Sequence, residues 1–260
     1  MKLTCASAKV VTATLRLLLR RAVAKERGLT MHTILFVISL LLGSAYPADN
    51  PIARWENAVG GRDKVAAIKA VYREATVELG NYQGTIKVWH TAEGKYRKEE
   101  QIATFSTIET FDGTGGSVQQ GAAPPRKMDE SELEQTRSKR FANSNAMFFA
   151  FFPERHFGSI TTEGDDTVVL KAEGGIEWRV TIDPATGLPK TMVHNEGGRT
   201  ITVTFDSYET VDGVKFEKEI HRSAGNPGMG AVIRFTRTVI NPPIDPSLFS
   251  IEPKKTGGAE

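Results

Sequence analysis

The feature that most constrains this chain is a period of two in its apolar residues. Ile176, Trp178, Val180 and Ile182 alternate with Glu177, Arg179, Thr181 and Asp183, and Ile201, Val203 and Phe205 alternate with Thr200, Thr202 and Thr204. Ala75, Val77 and Leu79 do the same against Glu74, Thr76 and Glu78, followed by Ile86 and Val88 and then the run Phe105 to Phe111. Successive strand residues point to opposite faces, so this pattern dictates strands with one apolar and one wet face. An antiparallel sheet covered on a single side meets that demand. The intervening segments carry turn chemistry. Asp183-Pro184-Ala185-Thr186-Gly187 places Pro and Gly where a turn fixes φ or reverses its sign, Asp212-Gly213 is a type I′ signature, and Glu196-Gly197-Gly198 closes a further hairpin. Nine to eleven strands are predicted. Strands and helices do not alternate, which excludes a parallel α/β architecture. The fold class expected is mainly β (α+β).

Two segments break the alternation. From Asn50 to Ala70 the apolar residues Ile52, Trp55, Val59, Val65, Ala66 and Ile68 fall at helical spacings around Gly60-Gly61, which predicts two short helices or one bent one against the sheet. After Pro124-Pro125, Asp129-Glu130-Ser131-Glu132 opens a helical stretch running to about Phe141, with Asp129 or Ser131 as the cap. Directly behind it stand Met147, Phe148, Phe149, Phe151, Phe152 and Pro153. These aromatics form either a core-packing helix end or a flap over an apolar cavity.

The N-terminus has the form of an export signal. Ile34 to Ala45 (ILFVISLLLGSA) is an apolar run of about 12 residues ending in small side chains, preceded by a basic stretch. Such a run is short for a membrane span and right for a secretory core. Residues 1–30 are expected to be a basic leader extension or to lie upstream of a start at Met31. Residues 31–48 then form a signal peptide cleaved near Ala45 or Ala48, and 49–260 a single domain. Arg20-Arg21 resembles a twin-arginine signal but lies far from the apolar run, so both export routes stay open. Residues 1–48 hold seven of the 33 basic residues and one of the 31 acidic ones, so the remainder carries about −4. That removes the compositional basis for nucleic-acid binding. The one cysteine, Cys5, is in the leader, so the mature chain is expected to have no disulfide, thiol nucleophile or thiolate metal site.

No motif for chemistry stands out. His90, His156, His194 and His221 share no metal-ligand spacing, and neither a GxSxG nor a GxxxxGK[ST] occurs. The expectation is a protein without catalytic residues, metal or cofactor. Two cations are out of pattern. Extending Val214 and Phe216 reaches Lys218, and extending Ile233 and Phe235 reaches Arg237. Each falls on the inward face unless a bulge shifts the register, where it either faces a cavity or sits at a rim.

Taken in order, the leader, the helix with Ala58-Val59-Gly60-Gly61 and Ala67-Ile68-Lys69-Ala70, Phe111-Asp112-Gly113, Asp183-Pro184-Ala185-Thr186-Gly187-Leu188-Pro189, Val211-Asp212-Gly213-Val214-Lys215 and Asn241-Pro242-Pro243-Ile244-Asp245-Pro246-Ser247-Leu248-Phe249 resemble the LolA-like outer-membrane lipoprotein-sorting superfamily, in a divergent branch. The resemblance spans about residues 50–252. It implies an unclosed antiparallel β-half-barrel whose concave face is covered by helices around an apolar cavity, and a periplasmic carrier of lipid or of the acyl chains of a modified protein. The ligand-binding residues then expected are Met147, Phe148, Phe149, Phe151, Phe152, Trp178, Phe205 and Phe235, with Lys218 and Arg237 as headgroup anchors. The expected partners are a lipid or acylated protein and an inner- or outer-membrane envelope protein. The competing reading is a non-catalytic scaffolding domain that binds another envelope protein.

Overall fold

The alternating segments pair into one antiparallel sheet. In the computed structural model, which describes residues 50–141, 158–172, 175–225 and 230–251, the strands are β1 (Ala70–Leu79), β2 (Tyr82–Thr91), β3 (Tyr96–Ile102), β4 (Phe105–Phe111), β5 (Gly116–Gln120), β6 (Arg126–Lys127), β7 (Gly158–Glu163), β8 (Thr167–Ala172), β9 (Glu177–Ile182), β10 (Pro189–Glu196), β11 (Arg199–Val211), β12 (Val214–Ser223) and β13 (Gly230–Ile240). Among the described residues three α-helices accompany them, α1 (Pro51–Ala58), α2 (Arg62–Ala66) and α3 (Glu130–Phe141), with a short 3-10 helix at Pro246–Phe249. The strand order is β6-β5-β4-β3-β2-β1-β13-β12-β11-β10-β9-β8-β7. Two meanders thus meet where β1 pairs with β13, and β6 and β7 are left as edges of an unclosed sheet. This is the mainly β, unclosed antiparallel architecture read from the sequence. The strand number, thirteen, exceeds the nine to eleven predicted. The two edge strands have weak patterns: Arg126–Lys127 has only two residues, and Gly158–Glu163 (GSITTE) has a single apolar side chain.

The turns follow their local chemistry. Asp212 and Gly213 both take positive φ (50° and 77°), as a type I′ hairpin requires. The Asp183 carboxylate accepts from the Ala185 and Thr186 amides at 2.7 and 3.2 Å, and Gly187 closes that turn at φ 72°. Gly60 separates α1 from α2 at φ 133°, where a Cβ would lie 2.7 Å from the Gly213 carbonyl oxygen. Only glycine fits there. Asp129 caps α3: its Oδ1 accepts from the Glu132 amide at 2.9 Å, while Glu132 Oε2 accepts from the Asp129 amide at 3.0 Å. That is a reciprocal capping box.

The sheet is curled, and α3 shows it. Lys139 Nζ lies 2.6 Å from Glu196 on β10, whereas the next residue, Arg140, stacks over Tyr96 on β3 at 5.7 Å. Six strand spacings separate β3 from β10, which is roughly 29 Å in a flat sheet. Neighbouring side chains cannot bridge that distance, so the two arms must rise toward each other into a trough under α3. The larger core lies against β8, β9, β11 and β12, where Trp55 of α1, Val59 at its C-terminal cap (both 0% exposed) and Val65 of α2 insert among Val168, Leu170, Val180, Ile182 and Phe216. A much smaller cluster of Val88, Tyr96 and Phe111, with Leu133 of α3 packed against it, occupies the other arm.

Candidate functional site

Cross-strand pairing identifies the inner wall of the first arm. Val71, Arg73, Ala75 and Val77 on β1 stand beside His90, Val88, Ile86 and Gly84 on β2, and these beside Tyr96, Lys98, Glu100 and Ile102 on β3. Arg73 therefore lies on the apolar face, 1% exposed. Its Nη1 donates to Glu217 Oε1 at 2.5 Å, its Nη2 to the Glu217 carbonyl, and its Nε to Thr238 Oγ1 at 3.2 Å. The guanidinium also stacks on Phe235, 3.4 Å from the ring centroid. Thr238 in turn donates to Glu209, which accepts from Lys218 at 3.0 Å. The place is structurally distinctive. The β12–β13 ladder stops at Glu219–Arg234, and Arg73 reaches the Glu217 carbonyl in the stretch of β12 that the ladder leaves unpaired. Burial lowers the Arg73 pKa, opposed by Glu217.

A second cation, half-buried with one guanidinium nitrogen shielded, has no such partner. Arg140, in the last turn of α3, holds its guanidinium over Tyr96 (5.7 Å) and Phe111 (5.4 Å). Among the described residues no carboxylate pairs with it, and its Nη1 is shielded without a hydrogen-bond partner. Burial pushes its pKa down to about 10, which leaves it charged at neutral pH. The same wall holds His90, 3% exposed and 5.0 Å from the Tyr96 ring, whose pKa is driven well below 6.5 by burial and by the positive charges of Arg140 and Arg73. Across the trough Trp178 stacks on His194 at 3.7 Å, and Trp178 Nε1 and His194 Nδ1 are both buried and unpartnered.

Of the residues singled out from the sequence, Trp178 and Phe235 are buried, 7% and 9% exposed, and Phe205 is half-buried against the larger core. The structure brings Phe235 to Arg73 and Trp178 to His194. A bulge sets the position of the two cations. Thr236 is an extra residue between the pairs Glu74–Arg237 and Ala75–Phe235, so Arg237 lands on the opposite face, paired with Glu74 at 3.1 Å. Lys218 falls between Glu217 and Glu219 at a similar irregularity and pairs with Glu209. Met147, Phe148, Phe149, Phe151 and Phe152 lie outside the described residues. Sequence reasoning missed Arg73, Glu217 and Arg140. The signal for Arg73 was present, since carrying Ala75 and Val77 backwards reaches Arg73 and Val71. The signal for Arg140 was only its seven-residue separation from Leu133 on one helix face.

The other concentration of ligand-type atoms is outside this wall. Asp206, Glu219 and His221 gather within 4.8 Å at the β11 irregularity, in positions half-buried or exposed. Arg234 Nε already lies 3.0 Å from the second Glu219 oxygen. The cluster is a surface ion-pair network in which the arginine supplies the positive charge.

No protein-family model and no curated protein matches the chain. Solved structures similar to it include a DUF1329 family protein from Desulfovibrio piger, 14% identical over 78% of this chain and 98% of that one, with a TM-score of 0.48. A LolA superfamily protein from Nitrosomonas europaea is 9% identical over 75% and 96% of the two chains, also at 0.48. A domain named for outer membrane lipoprotein sorting from Vibrio parahaemolyticus is 10% identical over 75% and 92%, at 0.44.

Proposed function

We propose that the chain is a cofactor-free carrier of the cell envelope, exported to the periplasm, that holds the hydrocarbon part of a lipid or of an acylated protein against the inner face of its sheet. One observation carries this reading: α3 crosses the trough but is held there largely by polar contacts. Among its described side chains Ser138 is the fully buried one, and its Oγ accepts from the Ile176 amide at 2.7 Å. Lys139–Glu196 and Arg126–Glu132 are further ties, and Leu133 makes a part-buried apolar contact. Exposed ion pairs of this kind are worth roughly 0–1 kcal/mol each. By contrast α1 is fixed by Trp55 and Ile52, side chains whose burial contributes about 1.5–3 kcal/mol apiece. A cover with few apolar anchors among its described residues can separate from the wall and expose Ile86, Ile102 and Val118, which are already part-exposed, to acyl chains. No chemical step is required, in keeping with the lack of a catalytic motif in the sequence.

The test is displacement binding with the full chain and a fluorescent fatty acid. Saturable binding that unlabelled fatty acid competes away is expected; no binding up to the solubility limit would contradict the reading. One observation favours the scaffolding alternative. Leu79 (39% exposed), Tyr82 (59%) and Phe105 (77%) project from the neighbouring β1–β2 and β3–β4 hairpin ends, an exposed apolar patch suited to contact with an envelope protein.

A further inference from the structure

A guanidinium shielded from water without a counter-charge is costly, and perturbed ionisable groups of this kind concentrate at functional sites. Arg140 is such a group among the described residues. Its buried counterpart Arg73 has Glu217, and Lys98 on the same wall has Glu100 and Glu109 at 3.1 and 3.5 Å. We propose that Arg140, poised over Tyr96 and Phe111, is the anchor for an anionic headgroup, carboxylate or phosphate, of an amphiphile whose chains lie along the inner face. This rests on the carrier reading and specifies the charge of its ligand.

The side chain is placed rather than free. Ser138, two residues earlier, is locked by hydrogen bonds to both the amide and the carbonyl of Ile176 (2.7 and 3.2 Å). The fit there is tight, because a Cβ at Gly175 would fall 2.8 Å from Ser138 Oγ. Lys139 ties the helix to β10, and Leu133 sits on the same cluster as Tyr96 and Phe111. With its fork held in register and Nη1 unpartnered, Arg140 offers the planar donor pair that carboxylates and phosphates accept. Neutral His90 beside it supplies a further donor without adding a second charge to be neutralised. Trp178 Nε1 and His194 Nδ1, also unpartnered, give the opposite wall polar atoms for ester or hydroxyl oxygens of the same ligand.

The experiment compares four probes on the full chain by isothermal titration calorimetry: dodecanoate, dodecyl phosphate, dodecanol and inorganic phosphate. The wild type should bind dodecanoate and dodecyl phosphate at least tenfold more tightly than dodecanol, and inorganic phosphate far more weakly than either. Arg140→Met should remove that charge preference, lowering affinity for the two anions about ten- to a hundredfold with dodecanol unchanged, and Arg140→Lys should restore part of it. Equal wild-type affinity for dodecanoate and dodecanol overturns the anchor while leaving the carrier intact, and needs no variant to fold. Binding of inorganic phosphate as tight as that of dodecyl phosphate overturns the amphiphile in favour of a free anion. Failure of all four probes to bind overturns the carrier reading itself.

Discussion

Arg73 and Glu217 illustrate how one strand position can fix the centre of the sheet. The pair is 1% and 4% exposed, and Arg73 meets both the carboxylate and the carbonyl of Glu217. Removing one partner from such a pair leaves an uncompensated buried charge, which costs about 3–5 kcal/mol. Glu217→Ala should therefore lower the urea midpoint by that equivalent, and Arg73→Met combined with Glu217→Leu should recover most of it. A double variant no more stable than Glu217→Ala would contradict this account. The buried histidines set the acid limit. His90 and His194 have pKa values lowered by burial, so the unfolded chain takes up protons below about pH 6.5 that the folded chain refuses. Stability is thus full above that pH and falls as pH drops toward 5, at up to about 1.4 kcal/mol per unit for each fully neutral histidine. The charged and polar groups facing His90 are Arg140, Arg73 and Tyr96. His90→Gln should flatten the slope between pH 6.5 and 5 in denaturation curves; an unchanged slope would remove His90 from the explanation. The cations on this part of the sheet differ in how visible they were. Arg73 lies on an extended alternation, whereas a bulge turned Arg237 to the opposite face and left the apolar pattern around it intact, and Lys218 is the extra residue of a second irregularity.

At the scale of elements, local signals were the readable ones. The Gly60-Gly61 break, the Asp129 capping box, the positive φ at Asp212-Gly213 and the long alternating strands all depend on residues within a few positions of one another. Edge strands were not readable, because β6 and β7 have little apolar surface to alternate. An edge needs polar side chains more than it needs a pattern, since an apolar edge invites pairing with another chain. The trough was legible only through the family resemblance, which implied a concave face covered by helices; residue patterns alone did not give it, because it depends on α3 touching β3 and β10, a contact between segments far apart in sequence. Ser138 is the sharpest test of how α3 is held. Ser138→Ala removes both bonds to Ile176 and should cost about 1–3 kcal/mol, expressed locally. Hydrogen exchange of the α3 amides should accelerate at least tenfold while the β8–β12 amides keep their protection. Uniform acceleration across the sheet would mean that α3 belongs to the global core and does not move independently.

Among the described residues the molecule joins a well-filled arm to a more sparsely filled one. Trp55, Val59, Val65 and Ile68 fill the β8–β12 side, so folding can be secured there. Among the described residues, the β2–β5 side has a small apolar cluster of Val88, Tyr96 and Phe111, a half-exposed wall of Ile86, Ile102 and Val118, and the guanidinium of Arg140 without a carboxylate partner. That division is what a carrier needs, because the surface that exchanges ligand should not be the surface that keeps the chain folded. Native mass spectrometry of the full-length protein recovered from its own cell envelope tests the claim most directly. The account predicts a non-covalent adduct with the mass of an anionic amphiphile, released when the protein is denatured and reduced in occupancy by Arg140→Met. Bare polypeptide in every charge state, from a preparation that also fails to take up added fatty acid, would contradict it.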